Sequence, residues 1–179
     1  DVKGKSSILS TGTVTMNGNR AQVIYKRTDG TYEFNNLIFT SSDPTNSQTK
    51  TISGNIKVDG ELRLENASTN EQLFLALDID DYVITGSGSG DNQLVLGNNT
   101  RIKVSGADNL GETIGTFGNV ELDKNSIVLF DATKGSQNIP VLNYGNISLY
   151  GSTVKKLEGA HQPGMQVDVL HFGHGIHAF

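Results

Sequence analysis

The segment GNIKV at residues 54–58 decides the fold, because its pattern returns three more times along the chain. GNVEL (118–122) and GNISL (145–149) repeat it as Gly-Asn-apolar-polar-apolar, and GNNTRIKV (97–104) is a looser copy with three extra residues. Gly and Asn tolerate positive φ, which lets the chain turn sharply. The alternation that follows buries one face of a strand and leaves the other in water. Each copy therefore predicts a short β-strand entered by a turn.

The spacing of these copies favours a solenoid. Their first glycines stand at positions 54, 97, 118 and 145, so the intervals are 43, 21 and 27 residues. A period of this size suits one coil of a β-helix, in which each coil buries its apolar side on the next. The sequence therefore predicts an all-β fold with a β-helix or solenoid body. A jelly-roll or β-sandwich is the alternative, because similar strands occur there without true repetition.

The first fifty residues differ from the rest. Residues 13–16 and 22–25 alternate like strands, and Asn17-Gly18 between them is typical of a β-hairpin turn. A polar segment follows at residues 41–47. We therefore expect a small β lead-in and polar linker over 1–50, and a β-solenoid body over 51–179 that ends in a histidine-rich strand region.

Composition excludes several functions. The net charge of the 179-residue chain is −5 and its basic residues are scattered, whereas nucleic-acid binding needs clustered Lys and Arg. The longest apolar run is far too short to span a bilayer, so membrane insertion is not expected. The chain has no cysteine, which excludes disulfides and thiolate metal sites.

The closing segment PGMQVDVLHFGHGIHAF (163–179), together with the Gly-Asn strand starters, resembles the β-helices of bacteriophage tail spike and neck-appendage proteins. The likeness covers residues 51–179. It consists of a Pro-Gly corner, alternating Val and Leu residues, then an aromatic residue and a glycine, here Pro163, Gly164, Val167, Val169, Leu170, Phe172 and Gly173. Such proteins are typically homotrimers in which each subunit winds a right-handed β-helix.

The resemblance implies a fragment of a virion tail or appendage protein that attaches to a host cell-envelope polymer, either a polysaccharide or a teichoic acid. It also implies a homotrimer. No catalytic motif of the family matches a position in this chain, so a glycoside or phosphodiester hydrolase that degrades the polymer stays an alternative. A second alternative is a bacterial autotransporter-like adhesin passenger at the cell surface.

Asp78 and Asp80 are the candidate catalytic residues. Glycosidases use two carboxylates at a defined separation, and two residues on one strand face lie ~7 Å apart, which suits an inverting pair. Leucine and isoleucine side chains alternate with them, so a solvated outer face with no catalytic role is the competing interpretation.

Three tyrosines are candidate ligand-binding residues: Tyr82, Tyr144 and Tyr150. A tyrosine ring offers an apolar face and a polar tip, which suits stacking on a sugar ring. The alternative is that these rings pack between coils.

The histidines His171, His174 and His177 follow one another at intervals of three. Residues three apart point to opposite faces of a strand, so the three cannot bind one metal from a flat strand. His171 and His177 share parity, and one such residue per chain on the axis of a trimer would supply three imidazole ligands. An axial transition metal held by His171 or His177 is therefore a hypothesis. Surface or interface histidines are the alternative.

Overall fold

The computed structural model describes residues 9–26, 31–41, 43, 45–106, 116–157 and 167–172. Among these residues every regular element is a β-strand, and parallel strands stack coil upon coil into a β-solenoid. The prediction of an all-β solenoid is confirmed. The described residues contain no helix long and apolar enough to cross a membrane.

Sixteen strands are present in the described residues. In chain order they are β1 (Leu9–Asn17), β2 (Gln22–Tyr25), β3 (Tyr32–Ser41), β4 (Gln48–Ser53), β5 (Ile56–Val58), β6 (Glu61–Asn66), β7 (Leu75–Asp78), β8 (Ile84–Gly86), β9 (Gln93–Leu96), β10 (Thr100–Val104), β11 (Asn119–Leu122), β12 (Ile127–Phe130), β13 (Ser136–Ile139), β14 (Tyr144–Leu149), β15 (Val154–Leu157) and β16 (Val167–Phe172).

These strands form two large sheets and one small one, and neighbouring strands run parallel. Sheet A has the order β16-β14-β12-β10-β7-β4-β2. Sheet B has the order β11-β9-β6-β3-β5-β8, with β1 also paired to β3. The long strand β3 pairs with β5 through its first half and with β6 through its second half. Strands β13 and β15 form a separate pair.

The core consists of apolar columns that run perpendicular to the strands. In sheet A one column holds four residues in register, each at most 1% exposed: Leu77, Ile102, Val128 and Ile147. Burial of such side chains contributes about 25 cal/mol per Å² of apolar surface, so the stacking of coils is the main source of stability.

The Gly-Asn repeat marks short strands and not a coil period, and in the copy at 145–149 the Gly-Asn pair lies inside its strand. The copies at 54–58 and 118–122 supply β5 and β11 of sheet B, whereas those at 97–104 and 145–149 supply β10 and β14 of sheet A. No two copies are neighbours in a sheet. The coil length varies as well: 25 residues separate Asp78 from its neighbour Lys103, and 18 separate Gln137 from Lys155.

The predicted hairpin at Asn17-Gly18 is wrong. Strands β1 and β2 belong to different sheets, and each pairs in parallel with a strand of the next coil, β3 and β4 respectively. Asn17 and Gly18 therefore stand at a corner of a coil. Turn-forming residues suit a corner as well as a hairpin, and only pairing with a distant strand separates the two. The expected boundary at residue 50 falls inside β4.

Buried amide side chains link successive coils at their corners. Gln137 is fully buried, and its Nε2 donates to the carbonyl oxygens of Val104 and Gly106 at 3.0 Å each. Lys50 is buried at the first coils in a similar way, with Nζ donating to the carbonyl oxygens of Gly18 and Arg20. Burial lowers the pKa of Lys50. Such bonds tie the backbone carbonyl groups of one coil to side chains of the next coil.

Candidate functional site

The outward face of sheet A carries two columns of mixed polar and apolar side chains, on the same strands whose inward side chains build the core. One column places Asp78, Lys103, Leu129 and Ser148 in register on β7, β10, β12 and β14. The neighbouring column places Arg101 beside Ile127. Alternation along each strand turns these side chains away from the core, because the residues between them are buried.

Lys103 holds two carboxylates on this face. Its Nζ lies 3.2 Å from Oδ2 of Asp78 and 3.5 Å from Oδ2 of Asp131. Ser105 Oγ also donates to Oδ1 of Asp131 at 2.6 Å. Partial burial alone would lower the pKa of Lys103, but the hydrogen bond to Asp78 and the charge of Asp131 outweigh it and raise that pKa. These four side chains form a polar network that spans three strands.

A cavity of about 270 Å³ lies on the same face, next to this network. Its lining combines apolar, hydroxyl and charged groups: Arg101, Ile127, Leu129, Asp131, Ser148 and Tyr150. Tyr150 is 44% exposed just after β14, and Ile127 and Leu129 of β12 are half-buried. We call this feature the sheet A groove. It offers an apolar floor with polar groups at both ends, as sites for small organic groups do.

Arg101 is the one side chain of the groove whose charge has no counter-ion among the described residues. Its guanidinium carbon lies 4.6 Å from the centre of the Phe74 ring, at cation–π distance. Its Nε is buried and has no hydrogen-bond partner in the described part of the chain. The aromatic ring thus fixes the guanidinium without neutralising it.

Arg63 on the outer face of sheet B is in the opposite situation. Its guanidinium bonds to the carboxylate of Glu61, and it lies 3.4 Å from that of Glu65. The hydrogen bond to Glu61 raises the pKa of Arg63. The two arginines therefore occupy comparable outward positions, but of the two only Arg101 has no counter-ion among the residues that the structure describes.

A second cavity, of about 350 Å³, lies over the ends of the sheet B strands. Its lining is mostly small and polar: Thr40, Ser41, Glu65, Asn66, Ala67, Gly97 and Asn98. It contains no aromatic ring, and the one charged group, Glu65, already faces Arg63. The sheet A groove is therefore the better candidate for ligand binding.

The structure places Asp78 and Asp80 differently from the expectation of a shared strand face. β7 ends at Asp78, and Asp80 follows in a turn with a φ of 49°. The backbone N–H of Asp80 donates to Oδ1 of Asp78 at 3.0 Å, while Lys103 binds the other oxygen. A turn in which an aspartate side chain accepts from the backbone N–H two residues later is common where a strand ends. The catalytic role of Asp78 and Asp80 stays a prediction, but the two residues do not share the strand face on which that prediction was based.

The three candidate tyrosines have different environments. Tyr144 is 3% exposed, its hydroxyl donates to the carbonyl oxygen of Pro140 at 2.8 Å, and burial raises its pKa. Its ring is therefore inaccessible to a ligand at the surface. Tyr82 is half-buried and packs against the core. Tyr150 lines the sheet A groove, so its predicted role in stacking remains open to test.

The histidine predictions fall at the edge of the described residues. His171 lies in β16, where its backbone is in register with Ser148 of β14. His174 and His177 lie outside the described residues. Within the residues that are described, no three side chains of the His, Cys, Asp or Glu type come together to hold a metal. The axial metal stays a hypothesis that depends on a trimer.

Sequence reasoning missed Arg101, Lys103 and Asp131. The signal was present, because Arg101 and Lys103 alternate with Ile102 and Val104 in the looser Gly-Asn copy. What was lacking is the register that puts Asp78 one coil before Lys103 and Asp131 beside it.

Comparisons of the chain with protein-family models, with curated proteins and with solved structures give no match. The functional argument therefore starts from the fold and from the chemistry of the sheet A groove.

Proposed function

We propose that this chain is a segment of a phage tail spike or neck-appendage protein, located in the virion, that attaches to a polysaccharide or teichoic acid of the host cell envelope. A solenoid supports this proposal because its stacked strands give a long, regular outer surface. Neighbouring strands lie about 4.8 Å apart, so equivalent side chains recur at a short, even spacing. Such a surface suits a ligand that is itself a repeating chain.

The observation that carries the proposal is the sheet A groove with Tyr150 at its rim. Tyr150 is 44% exposed and Leu129 is half-buried, so together they present apolar surface to solvent. The C–H face of a sugar ring can pack against such surface, while hydroxyl groups of the ring bond to Ser148 and Asp131. No other cavity described above combines an exposed aromatic ring with polar groups.

The test compares two tyrosines of similar exposure. Tyr150→Ala removes the ring at the groove, and Tyr25→Ala removes a ring that is 40% exposed at the end of β2, far along sheet A. Binding to purified envelope polysaccharides and teichoic acids is measured by affinity electrophoresis and titration calorimetry. We expect Tyr150→Ala to weaken binding about tenfold, which corresponds to ~1.4 kcal/mol, and Tyr25→Ala to leave it unchanged. Failure of the parent chain to bind any polymer, or equal losses in both variants, would overturn the proposal.

A homotrimer is part of the proposal. Light scattering should give a mass of three times 19.2 kDa at neutral pH. A metal at His171 or His177 on the trimer axis predicts that a chelator dissociates it. A trimer that resists the chelator would reject the metal, and a monomer in both conditions would reject the trimer as well.

A polymer-degrading enzyme is the second candidate, because Asp78 and Asp131 both lie within 3.5 Å of Lys103 Nζ beside the groove. Paired carboxylates are the usual machinery of glycoside hydrolysis. Release of reducing ends or phosphate esters from a bound polymer, abolished in Asp131→Asn, would support an enzyme. Stable binding without any product supports attachment alone.

A further inference from the structure

We infer that the ligand of the sheet A groove is anionic, and that the guanidinium of Arg101 receives a carboxylate or phosphate group of the polymer while Tyr150 packs on a neighbouring sugar ring. This inference rests on the proposed function and deepens it by naming the class of polymer. Both groups are oxyanions that bind a guanidinium in the same way.

The first argument is the pairing of charges on the face. Asp78 and Asp131 are bound by Lys103, and Ser105 gives Asp131 a further hydrogen bond. Arg101 has no such partner in the described residues, although it lines the same groove. A positive group left without a counter-ion at the wall of a cavity favours a negative ligand.

The second argument is the separation of the groove's two ends. Arg101 is in register with Ile127, and Asp131 lies four residues further along the same strand direction. At about 3.3 Å per residue the two ends are roughly 13 Å apart. Lys103 and Ser105 also bind the carboxylate of Asp131, so at this distance it repels an anion bound at Arg101 only weakly. The groove is polarised, with an anion site at Arg101 and a site for hydroxyl donors at Asp131.

The third argument is preorganisation. The ring of Phe74 supports the guanidinium at 4.6 Å, so the side chain is held in place before a ligand arrives. Order of this kind reduces the entropy lost on binding. Arg63 on sheet B shows what the same residue does when its role is structural, since its guanidinium is occupied by Glu61 and Glu65.

The experiment includes two ligands matched except for charge. Titration calorimetry is performed with a polyuronate, with the same polymer after reduction of its carboxyl groups, and with a poly(glycerol phosphate) teichoic acid that carries glycosyl substituents, so that every ligand contains sugar rings. The proteins are the parent chain, Arg101→Gln, Arg101→Lys and the control Arg63→Gln. Thermal unfolding of each variant shows whether it is folded, and Arg101→Lys keeps the positive charge if Arg101→Gln does not fold.

We expect the parent chain to bind one of the two anionic polymers at least tenfold more tightly than the reduced polymer, and salt to weaken that binding. Arg101→Gln should remove this difference, and Arg63→Gln should retain it. Arg101→Lys should keep a weaker preference, because an ammonium lacks the planar fork of a guanidinium. The comparison of polyuronate with teichoic acid identifies which oxyanion is bound.

Two outcomes would overturn the inference. Equal affinity for the charged and reduced polymers, with binding still dependent on Tyr150, would reject the anion site but leave the proposed attachment standing. A charge preference that survives in Arg101→Gln would place the anion elsewhere. Failure of the parent chain to bind all three polymers would reject both the inference and the attachment on which it rests.

Discussion

The side-chain amide of Asn92 donates a 2.7 Å hydrogen bond to the carbonyl oxygen of Gly60, which lies one coil earlier in the stack. The same Nδ2 donates to the carbonyl oxygen of Val58 at 3.0 Å, and Oδ1 accepts from the N–H of Ser87 at 2.8 Å. Asn92 is fully buried. One side chain therefore serves three backbone groups at a corner where strand pairing is interrupted.

Replacement of Asn92 by Ala should lower the free energy of unfolding by about 1–3 kcal/mol, because the N–H of Ser87 loses its acceptor and the carbonyl oxygens of Val58 and Gly60 each lose a donor. Urea denaturation followed by circular dichroism measures this change. The control is Asn98→Ala, since Asn98 is exposed and bonds only to the side chain of Asn125 in the described residues. A loss at Asn92 no greater than the loss at Asn98 would show that corner amides contribute little to stability.

Gly118 and Gly90 provide a test of how closely the coils approach. A Cβ on Gly118 would overlap the carbonyl oxygen of Ser89, whereas a Cβ on Gly90 would have no neighbour within 4 Å. Gly118→Ala should therefore destabilise the chain by about 1–3 kcal/mol. Gly90→Ala should be neutral or raise stability by up to about 1 kcal/mol, because it reduces the freedom of the unfolded chain. Similar midpoints of thermal unfolding for the two variants would contradict this packing.

Lys155 should make stability depend on pH in the alkaline range. Burial lowers its pKa from 10.5 to about 8, although Asp131 opposes the shift. Between pH 8 and 10.5 the unfolded chain keeps a proton at this residue that the folded chain has lost, so stability rises with pH across this window. Below pH 8 both states are protonated and the penalty for the partly buried charge is at its full value.

The measurement for Lys155 is the difference in unfolding free energy between the parent chain and Lys155→Met at pH 7, 8.5 and 10. We expect the unfolding free energy of the parent chain to increase relative to that of Lys155→Met as the pH rises. The subtraction removes the titration of other groups. Parallel pH profiles would show that Lys155 keeps an ordinary pKa despite its partial burial.

Tyr144 and Tyr150 should respond differently to loss of their hydroxyl groups. Tyr144→Phe leaves the carbonyl oxygen of Pro140 without its 2.8 Å donor in a buried site, which should cost about 1 kcal/mol of stability. Tyr150→Phe, at an exposed position, should leave stability unchanged. Chemical denaturation measures both, and polymer binding should be unaffected in Tyr144→Phe. A Tyr144→Phe chain as stable as the parent would mean that this bond contributes nothing to the fold.

The solenoid could be predicted from local patterns, because alternation and turn residues are properties of a few adjacent positions. GNIKV at 54–58 was correctly assigned as a strand entered by a turn, and GNISL at 145–149 as a strand, although Gly145 and Asn146 lie inside β14 and not in a turn before it. Their placement in sheets could not be predicted in the same way. Which strands are neighbours depends on the length of each coil, and that length is uneven along the chain.

The same limit applies to the candidate site. Tyr144 and Tyr150 stand at the two ends of one short strand segment, and only the structure shows that Tyr144 is buried with its hydroxyl bonded to Pro140 while Tyr150 is exposed. Asp78 was identified as an outward acid, but its counter-ion Lys103 lies 25 residues away. A network built from residues of different coils cannot be predicted until the register of the strands is known.

The unequal coils described above have a consequence for how this protein can change. From Gly60 to Asn92 the chain takes 32 residues to return to the same corner, yet from Gln137 to Lys155 it takes 18. The apolar columns keep their alignment across both, so extra residues are accommodated at corners such as the exposed segment around Gly90. Because lengthening a surface loop costs little free energy, a foreign peptide inserted at that corner should be displayed without disturbing the groove on the other sheet. The number of residues at an exposed corner can therefore vary while the apolar columns stay aligned.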